Sequence, residues 1–328
     1  MENTANEVLT AFTKESAQAR IGAIISEIEK VVVGKHSEIV MLLTAMLSGS
    51  HILIEDVPGT GKTTLASALA RVTGLSYKRA QFTPDVMASD ITGFHIYNRK
   101  SEQFELHEGL VMCNLMLADE INRASPKTQS ALLEAMEEGK VTVDGEECAI
   151  PEPFMVIATQ NPAGYVGTYP LPEAQLDRFA LKISMGYPRP KDEVEILRAR
   201  TGKKPLDAVE SVVTREELLA LCRYVSELHI DDKIYEYIVS LVAETRKHPA
   251  LQLGASPRAS VALMHLSQAY AAVCGRDFVI PDDVIAVFRP SIAHRLILRQ
   301  EAKLNGVKIA TVLDEILHAV PVPQKGAR

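Results

Sequence analysis

Apolar residues recur along the chain at two periods, and the change of period marks its plan. Ile21, Ile24, Ile25, Ile28, Val31 and Val32 fall on one face at helical spacing, predicting a helix over 17–32 that Gly34 ends. Ile39, Leu42, Leu43, Ala45, Met46 and Leu47 predict a second helix. Residues 51–55 are then short and almost wholly apolar, as in a strand covered on both faces. Four further strands are predicted at 76–81, 114–118, 154–159 and 180–184. Between them fall helices at 63–72, from Thr83-Pro84 to about Gly93, after the Ser125-Pro126 cap, and over 171–179. Residues 94–97 and 104–106 flank Asn98-Arg99-Lys100-Ser101, and 140–143 and 148–150 flank Asp144-Gly145. Both are hairpin signals, inserted between sheet strands. Asn161-Pro162 opens a long loop. Five strands with helical crossovers predict a parallel sheet in a three-layer α/β/α domain.

Tyr187-Pro188-Arg189-Pro190 is the predicted boundary. Beyond it the period is helical throughout, at 192–199, 215–227, 231–246, 257–273, 281–296 and 309–317, followed by a frayed tail over 320–328. The predicted organisation is an α/β/α domain over 1–187, carrying hairpins near 94–106 and 140–150, and an all-helical domain over 188–328.

An apolar fraction of 47% in 328 residues supplies a sizeable core. The net charge of −7 argues against a basic nucleic-acid binder, though not against a local basic pore. Cys113, Cys148, Cys222 and Cys274 form no Cys-x-x-Cys pair, and the nine histidines form no ligand spacing, so neither a zinc site nor a disulfide framework is expected. The start is polar, and no apolar run approaches the ~18 residues that span a bilayer. The expectation is a cytoplasmic protein without a membrane span.

The first strand runs into Asp56-Val57-Pro58-Gly59-Thr60-Gly61-Lys62-Thr63-Thr64. A glycine-bearing turn between a strand and a helix aims backbone N–H groups inward as a nest for phosphate oxygens, reinforced by the positive end of the helix dipole. In such a loop Lys62 reaches the β- and γ-phosphates and the Thr63 hydroxyl holds Mg²⁺. The pattern calls for glycine where Asp56 stands, so that carboxylate must turn away from the phosphates.

Phosphoryl transfer asks mainly for positioning and charge neutralisation. Asp119, ending the third sheet strand, suits a metal carboxylate, and Glu120 suits the base that polarises water. Alone, the pair reads sooner as a solvated strand end, and the phosphate loop upstream reverses that reading. Asn161, after the fourth strand, suits a group that orients the water, or a simple turn starter. Arg178 and Arg258 are both candidates for the cation that meets transition-state charge, and each alone also reads as a surface ion pair.

Taken together, these motifs resemble the MoxR family of AAA+ ATPases. Gly59-Thr60-Gly61-Lys62-Thr63 resembles Walker A, and Leu117-Ala118-Asp119-Glu120 resembles Walker B. The run Ile121-Asn122-Arg123-Ala124-Ser125-Pro126-Lys127-Thr128-Gln129 continues the family signature. Glu55-Asp56-Val57-Pro58-Gly59 is similar to the family's variant phosphate loop, which accounts for Asp56. Ala158-Thr159-Gln160-Asn161-Pro162 and Leu171-Pro172-Glu173-Ala174-Gln175-Leu176-Asp177-Arg178-Phe179 match as well, and the likeness spans about 31–296. It implies ATP or ADP held at Pro58 to Thr64, with Val33 and Gly34 at the adenine. It implies Mg²⁺ held by Thr63 and, through water, Asp119. By resemblance Glu120 is the catalytic base and Asn161 is sensor 1. Arg178 is the finger acting on the neighbouring subunit, and Arg258 is sensor 2, reaching its own subunit's nucleotide.

The resemblance also implies the sheet order, with the first strand between the fifth and the fourth, then the third and second outward. It further implies a homo-oligomeric ring, a hexamer, with the hairpins toward the pore. A chaperone-like remodeller or metal-insertion factor follows, working on a client beside a von Willebrand factor A-domain partner. A nucleic-acid motor, a magnesium-chelatase-like subunit and a nucleotide-gated scaffold are the competing readings. Arg99-Lys100 keeps the first open, and Glu120 with Asn161 opposes the last.

Overall fold

The computed structural model describes residues 12–161, 169–199 and 205–323. The body of the loop opened by Asn161-Pro162, the polar start and most of the predicted tail lie outside them. The first part runs α1 (Lys14–Glu29), α2 (His36–Leu47), β1 (Ile52–Glu55), α3 (Lys62–Val72), β2 (Tyr77–Gln81), α4 (Ala88–Thr92), β3 (Gly93–Asn98) and β4 (Gln103–Glu108). It continues with β5 (Leu115–Asp119), α5 (Pro126–Glu138), β6 (Lys140–Val143), β7 (Glu146–Ala149), β8 (Met155–Gln160), α6 (Glu173–Leu176) and β9 (Leu181–Ile183). The sheet is parallel, in the order β2-β5-β8-β1-β9, as the resemblance implies.

The strand period of two explains the layers. Ile52 and Ile54, Leu115 and Leu117, and Met155 and Ile157 face a core shared with α1, α2 and α3. Their neighbours Leu53, Met116, Ala118, Val156 and Ala158 face a second core under α5. Each fully buried aliphatic side chain contributes about 1.5–3 kcal/mol.

The remaining chain forms α7 (Pro190–Ala199), α8 (Arg215–Ser226), α9 (Asp232–Lys247), β10 (Leu251–Leu253), α10 (Pro257–Val273), α11 (Pro281–Ile292), β11 (Ile297–Leu298), α12 (Gln300–Leu304) and α13 (Ile309–Ala319). Besides the helices, its described residues hold an antiparallel ribbon, β10–β11, which the sequence reading missed, and a single bridge between His229 and Phe278. The ribbon strands are only three and two residues long, too short to show a period, although Leu251 and Leu298 are buried. The core above α1 and α2 runs on into α8, α9, α10 and α11, so these helices pack directly on the α/β part.

Three boundaries differ for visible reasons. Thr83-Pro84 starts a turn, with Val86 N–H donating to the Thr83 carbonyl, and α4 begins only where the Asp90 carboxylate accepts from Met87 N–H at 2.9 Å. The helix expected over 171–179 is a single turn, because the Asp177 and Phe179 carbonyls are taken by Arg295. The helix expected to reach 296 ends at Ile292 and tightens into a 3₁₀ turn, Ala293–Arg295. Both expected hairpins form, as β3–β4 and β6–β7, and His95 Nδ1 meets Asp144 Oδ2 between them at 2.8 Å. Among the described residues, no helix is long and apolar enough to cross a membrane.

Candidate functional site

The loop between β1 and α3 takes the shape that a phosphate nest requires. Gly59 and Gly61 have φ of 87° and 92°, a region that L side chains rarely enter. The space where a Cβ would stand is free at Gly59, and at Gly61 it meets only the Met185 methyl, at 3.9 Å. The loop's left-handed geometry, more than crowding, therefore calls for glycine there. Lys62 is mostly buried, and its Nζ donates to the Asp56 and Val57 carbonyls at 3.0 and 2.9 Å. Burial lowers its pKa, opposed by the charges of Asp56, Asp119 and Glu120.

The Asp56 carboxylate does turn away. Its Oδ1 accepts from Val57 N–H at 2.8 Å. Its Oδ2 accepts from the N–H groups of Met185 and Gly186 at 2.8 and 2.6 Å, and from the Ser184 hydroxyl at 3.3 Å.

Asp119 ends β5, and Glu120 follows with φ 57°, ψ 48°. A non-glycine residue there stores about 1–3 kcal/mol of strain. That turn keeps both carboxylates at the strand end. Thr159 binds the two residues together, donating to Asp119 Oδ1 at 2.6 Å and accepting from Glu120 N–H at 2.9 Å. Two positions on, Asn161 Nδ2 donates to Glu120 Oε1 at 3.2 Å, while Arg123 holds Oε2 at 3.0 Å. Asp119 Oδ2 is held by Arg79 from β2 at 2.7 Å. The buried Gln129 amide donates to the Ile121, Ala124 and Tyr169 carbonyls and fixes the turn from below.

A cavity of about 720 Å³ opens beside this loop. Gly59, Thr60, Gly61 and Thr64 line it, and Val33 with Ile196 and Leu206 supplies apolar wall. Gly34 is not in the wall. It turns with φ 71°, and a Cβ there would strike the Asp192 carboxylate. The lining suits a nucleotide, since it joins a phosphate nest to apolar surface. Among the described residues there is no cluster of three or more acidic, His or Cys groups that could cage a metal. Few protein oxygens are on offer, the Asp119 and Glu120 carboxylates at the end of β5 and the Thr63 hydroxyl in the first turn of α3, which suits Mg²⁺ held largely by phosphates and water.

Arg178 and Arg258 lie elsewhere. Both bond the Glu137 carboxylate at the end of α5, Arg178 through Nε at 2.9 Å. With His51 and Met136 they line a separate cavity of about 180 Å³. His51 precedes β1, whereas the phosphate loop follows it, so the arginines sit at the opposite ends of the strands. The structure therefore does not bring Arg258 to the phosphate loop of its own chain, contrary to the sensor 2 expectation. The reason is the packing of α10 on α2, and the Ser256 hydroxyl bonded to Asp177 Oδ2 at 2.9 Å.

Sequence reasoning missed Arg79, Thr159, Gln129 and the cavity wall at Ile196 and Leu206. Thr159 and Gln129 stand inside the matched motifs, which was a usable signal. Arg79, Ile196 and Leu206 carry none.

A family model described as "ATPase family associated with various cellular activities (AAA)" matches residues 51–181, and an AAA lid domain model matches 243–316. The uncharacterized Bacillus subtilis protein YeaC is 49% identical over 94% of this chain and 97% of its own. Chaperone MoxR1 of Mycobacterium tuberculosis is 41% identical over 92% of this chain and 82% of its own. A crystal structure from Cytophaga hutchinsonii, provisionally described as an ATPase, superposes with a TM-score of 0.89 at 37% identity, covering 95% of this chain and 97% of that one.

Proposed function

The chain belongs to the MoxR family of AAA+ ATPases, and from that premise we propose that it hydrolyses Mg²⁺-ATP in a homo-oligomeric ring, a hexamer, to remodel or load metal into a client protein. A von Willebrand factor A-domain partner and a cytoplasmic setting belong to the same reading, as does a division near residue 187 into nucleotide-binding and lid domains. The observation that carries the chemistry is the Glu120 carboxylate, held between Asn161 and Arg123 and electrostatically coupled to Lys62.

Lys62 exchanges the Asp56 and Val57 carbonyls for phosphate oxygens, while the loop N–H groups cradle the remainder. Thr63 and, through water, Asp119 would hold Mg²⁺, which would supply neutralisation of the phosphate charge. Glu120 takes the proton of the attacking water, and Asn161 fixes the water's direction and the carboxylate's. Arg178 and Arg258, sharing Glu137 away from their own phosphate loop, form a pair that faces the triphosphate of the neighbouring subunit. An acidic chain with net charge −7 supports a protein client over nucleic acid.

Glu120→Gln should bind ATP as wild type does while turnover falls by at least about 10²-fold, the usual contribution of a general base. Steady-state hydrolysis alongside equilibrium nucleotide binding checks this, and unchanged turnover removes Glu120 as the base.

A further inference from the structure

Asp56 occupies the place where a phosphate loop ordinarily has glycine, and the structure gives its carboxylate a distant set of partners. It is buried, and Oδ2 collects Met185 N–H, Gly186 N–H and the Ser184 hydroxyl. Those residues are the exit of β9 and lead into α7. The same stretch is gripped from its other side by Lys35, whose ammonium donates to the Met185 carbonyl and, at 3.3 Å, to the Tyr187 carbonyl. Further on, Asp192 of α7 packs over Gly34 and pairs with Arg189 at 2.7 Å. The segment 184–192 is thus fastened at one end to the phosphate loop and at the other to the 33–35 turn. Val33, Lys35 and Pro188 from these two segments, and Ile196 further along α7, line the same cavity as Gly59 and Gly61.

Lys62 bonds the main-chain carbonyl of this same Asp56. Its departure to a phosphate frees the carbonyl of a residue whose side chain is fixed to the lid-ward segment. We propose that Asp56 is a positioning residue, a strut that makes the phosphate loop and segment 184–187 one mechanical unit, so that nucleotide at the loop is felt by α7 and the base end of the pocket. A glycine at this position would leave the loop free to bind phosphate but would disconnect it. The inference rests on nucleotide binding at this loop.

Hydrogen exchange resolved by peptide and residue tests it, with Mg²⁺-ADP as the probe on the full chain. In Asp56→Gly, which restores the ordinary motif, exchange at the Met185 and Gly186 amides should accelerate on the order of 10- to 100-fold, the loss expected for charge-assisted hydrogen bonds. Amides of β1 and α3 stay protected, showing that the fold is kept. Mg²⁺-ADP should still protect 57–64 in the variant, but the protection it induces over 187–198 in the wild type should be lost. Asp56→Ala, which removes both acceptor oxygens, should behave alike and serves if the glycine variant unfolds. Equal nucleotide-induced protection of 187–198 in wild type and variants overturns the strut while leaving nucleotide binding intact. No protection of 57–64 in the wild type overturns the nucleotide reading and the strut together.

Discussion

Single residues decide the state of this site by what they bond. Thr159 serves two carboxylate-bearing neighbours at once, and Glu120 is held on both oxygens. The buried His51 and His294 each meet a main-chain carbonyl at Nε2. His51 donates from Nε2 to the Met136 carbonyl and accepts Val156 N–H at Nδ1, both at 3.0 Å, which fixes a neutral ring. Burial pushes its pKa down to about 4, and burial with the adjacent Arg295 pushes His294 to about 3. A depressed histidine binds its proton in the unfolded chain first, so its stabilisation is complete above pH 6.5 and is lost as pH falls toward those values. The loss amounts to roughly 2–3 kcal/mol for each ring by pH 4.5. Thermal melts should show the midpoint dropping by several degrees from pH 7 to pH 5, and a flat profile would count against neutral rings. The motif residues were legible in the sequence because backbone and ligand chemistry restrict them. Arg79 was not, since one arginine on an edge strand has many uses.

At the scale of elements, the period of two in the strands and 3.6 in the helices carried most of the fold. Of the misjudged ends, one is set by a distant partner and one by a local cap. α6 is cut short by Arg295, more than a hundred residues away, and α4 waits for Asp90. The β3–β4 hairpin stands on a crossing that leaves no room at its base. A Cβ on Gly109 would fall on the Ile91 carbonyl, Thr92 and the Gly93 nitrogen, all backbone atoms. Gly109→Ala should therefore cost about 1–3 kcal/mol or more through overpacking. Differential scanning calorimetry reads this as a lowered midpoint, and a wild-type melt would mean that the crossing yields freely.

Across the molecule, the segment bearing Arg178 is fastened to the lid. Arg295, almost fully buried, donates to the Asp177 and Phe179 carbonyls, and its Nε lies 2.8 Å from Asp177 Oδ1. That last contact is Coulombic more than directional, because neither atom completes a well-aimed hydrogen bond. Burial pulls Arg295 down to about 10, with Asp177 opposing, so it stays charged at neutral pH. Asp177→Ala leaves that cation buried with its carboxylate gone and should cost about 3–5 kcal/mol in denaturant unfolding; a loss under 1 kcal/mol would show the pair to be dispensable. Because Ser256 bonds the same Asp177, Arg178 and Arg258 are held as one unit. If that unit serves a neighbour, Arg178→Ala subunits and Glu120→Gln subunits, each nearly inactive alone, should regain activity on mixing. Fingers in other nucleotide hydrolases contribute roughly 10³–10⁵-fold, so the recovery is measurable. Activity that never exceeds the sum of the two separate preparations would place the arginines in cis.

The sequence by itself determined the sheet, its helical layers, the hairpins, the phosphate loop and the acidic strand end. These follow from periodicity and from backbone conformations that only certain residues adopt, and both are local. Tertiary structure alone decided where Arg258 points, what Asp56 holds and that Ile196 and Leu206 wall the cavity. Those outcomes depend on partners as far apart as Asp56 and Gly186. A buried carboxylate must find donors, but nothing local to it says which segment the fold will bring within reach.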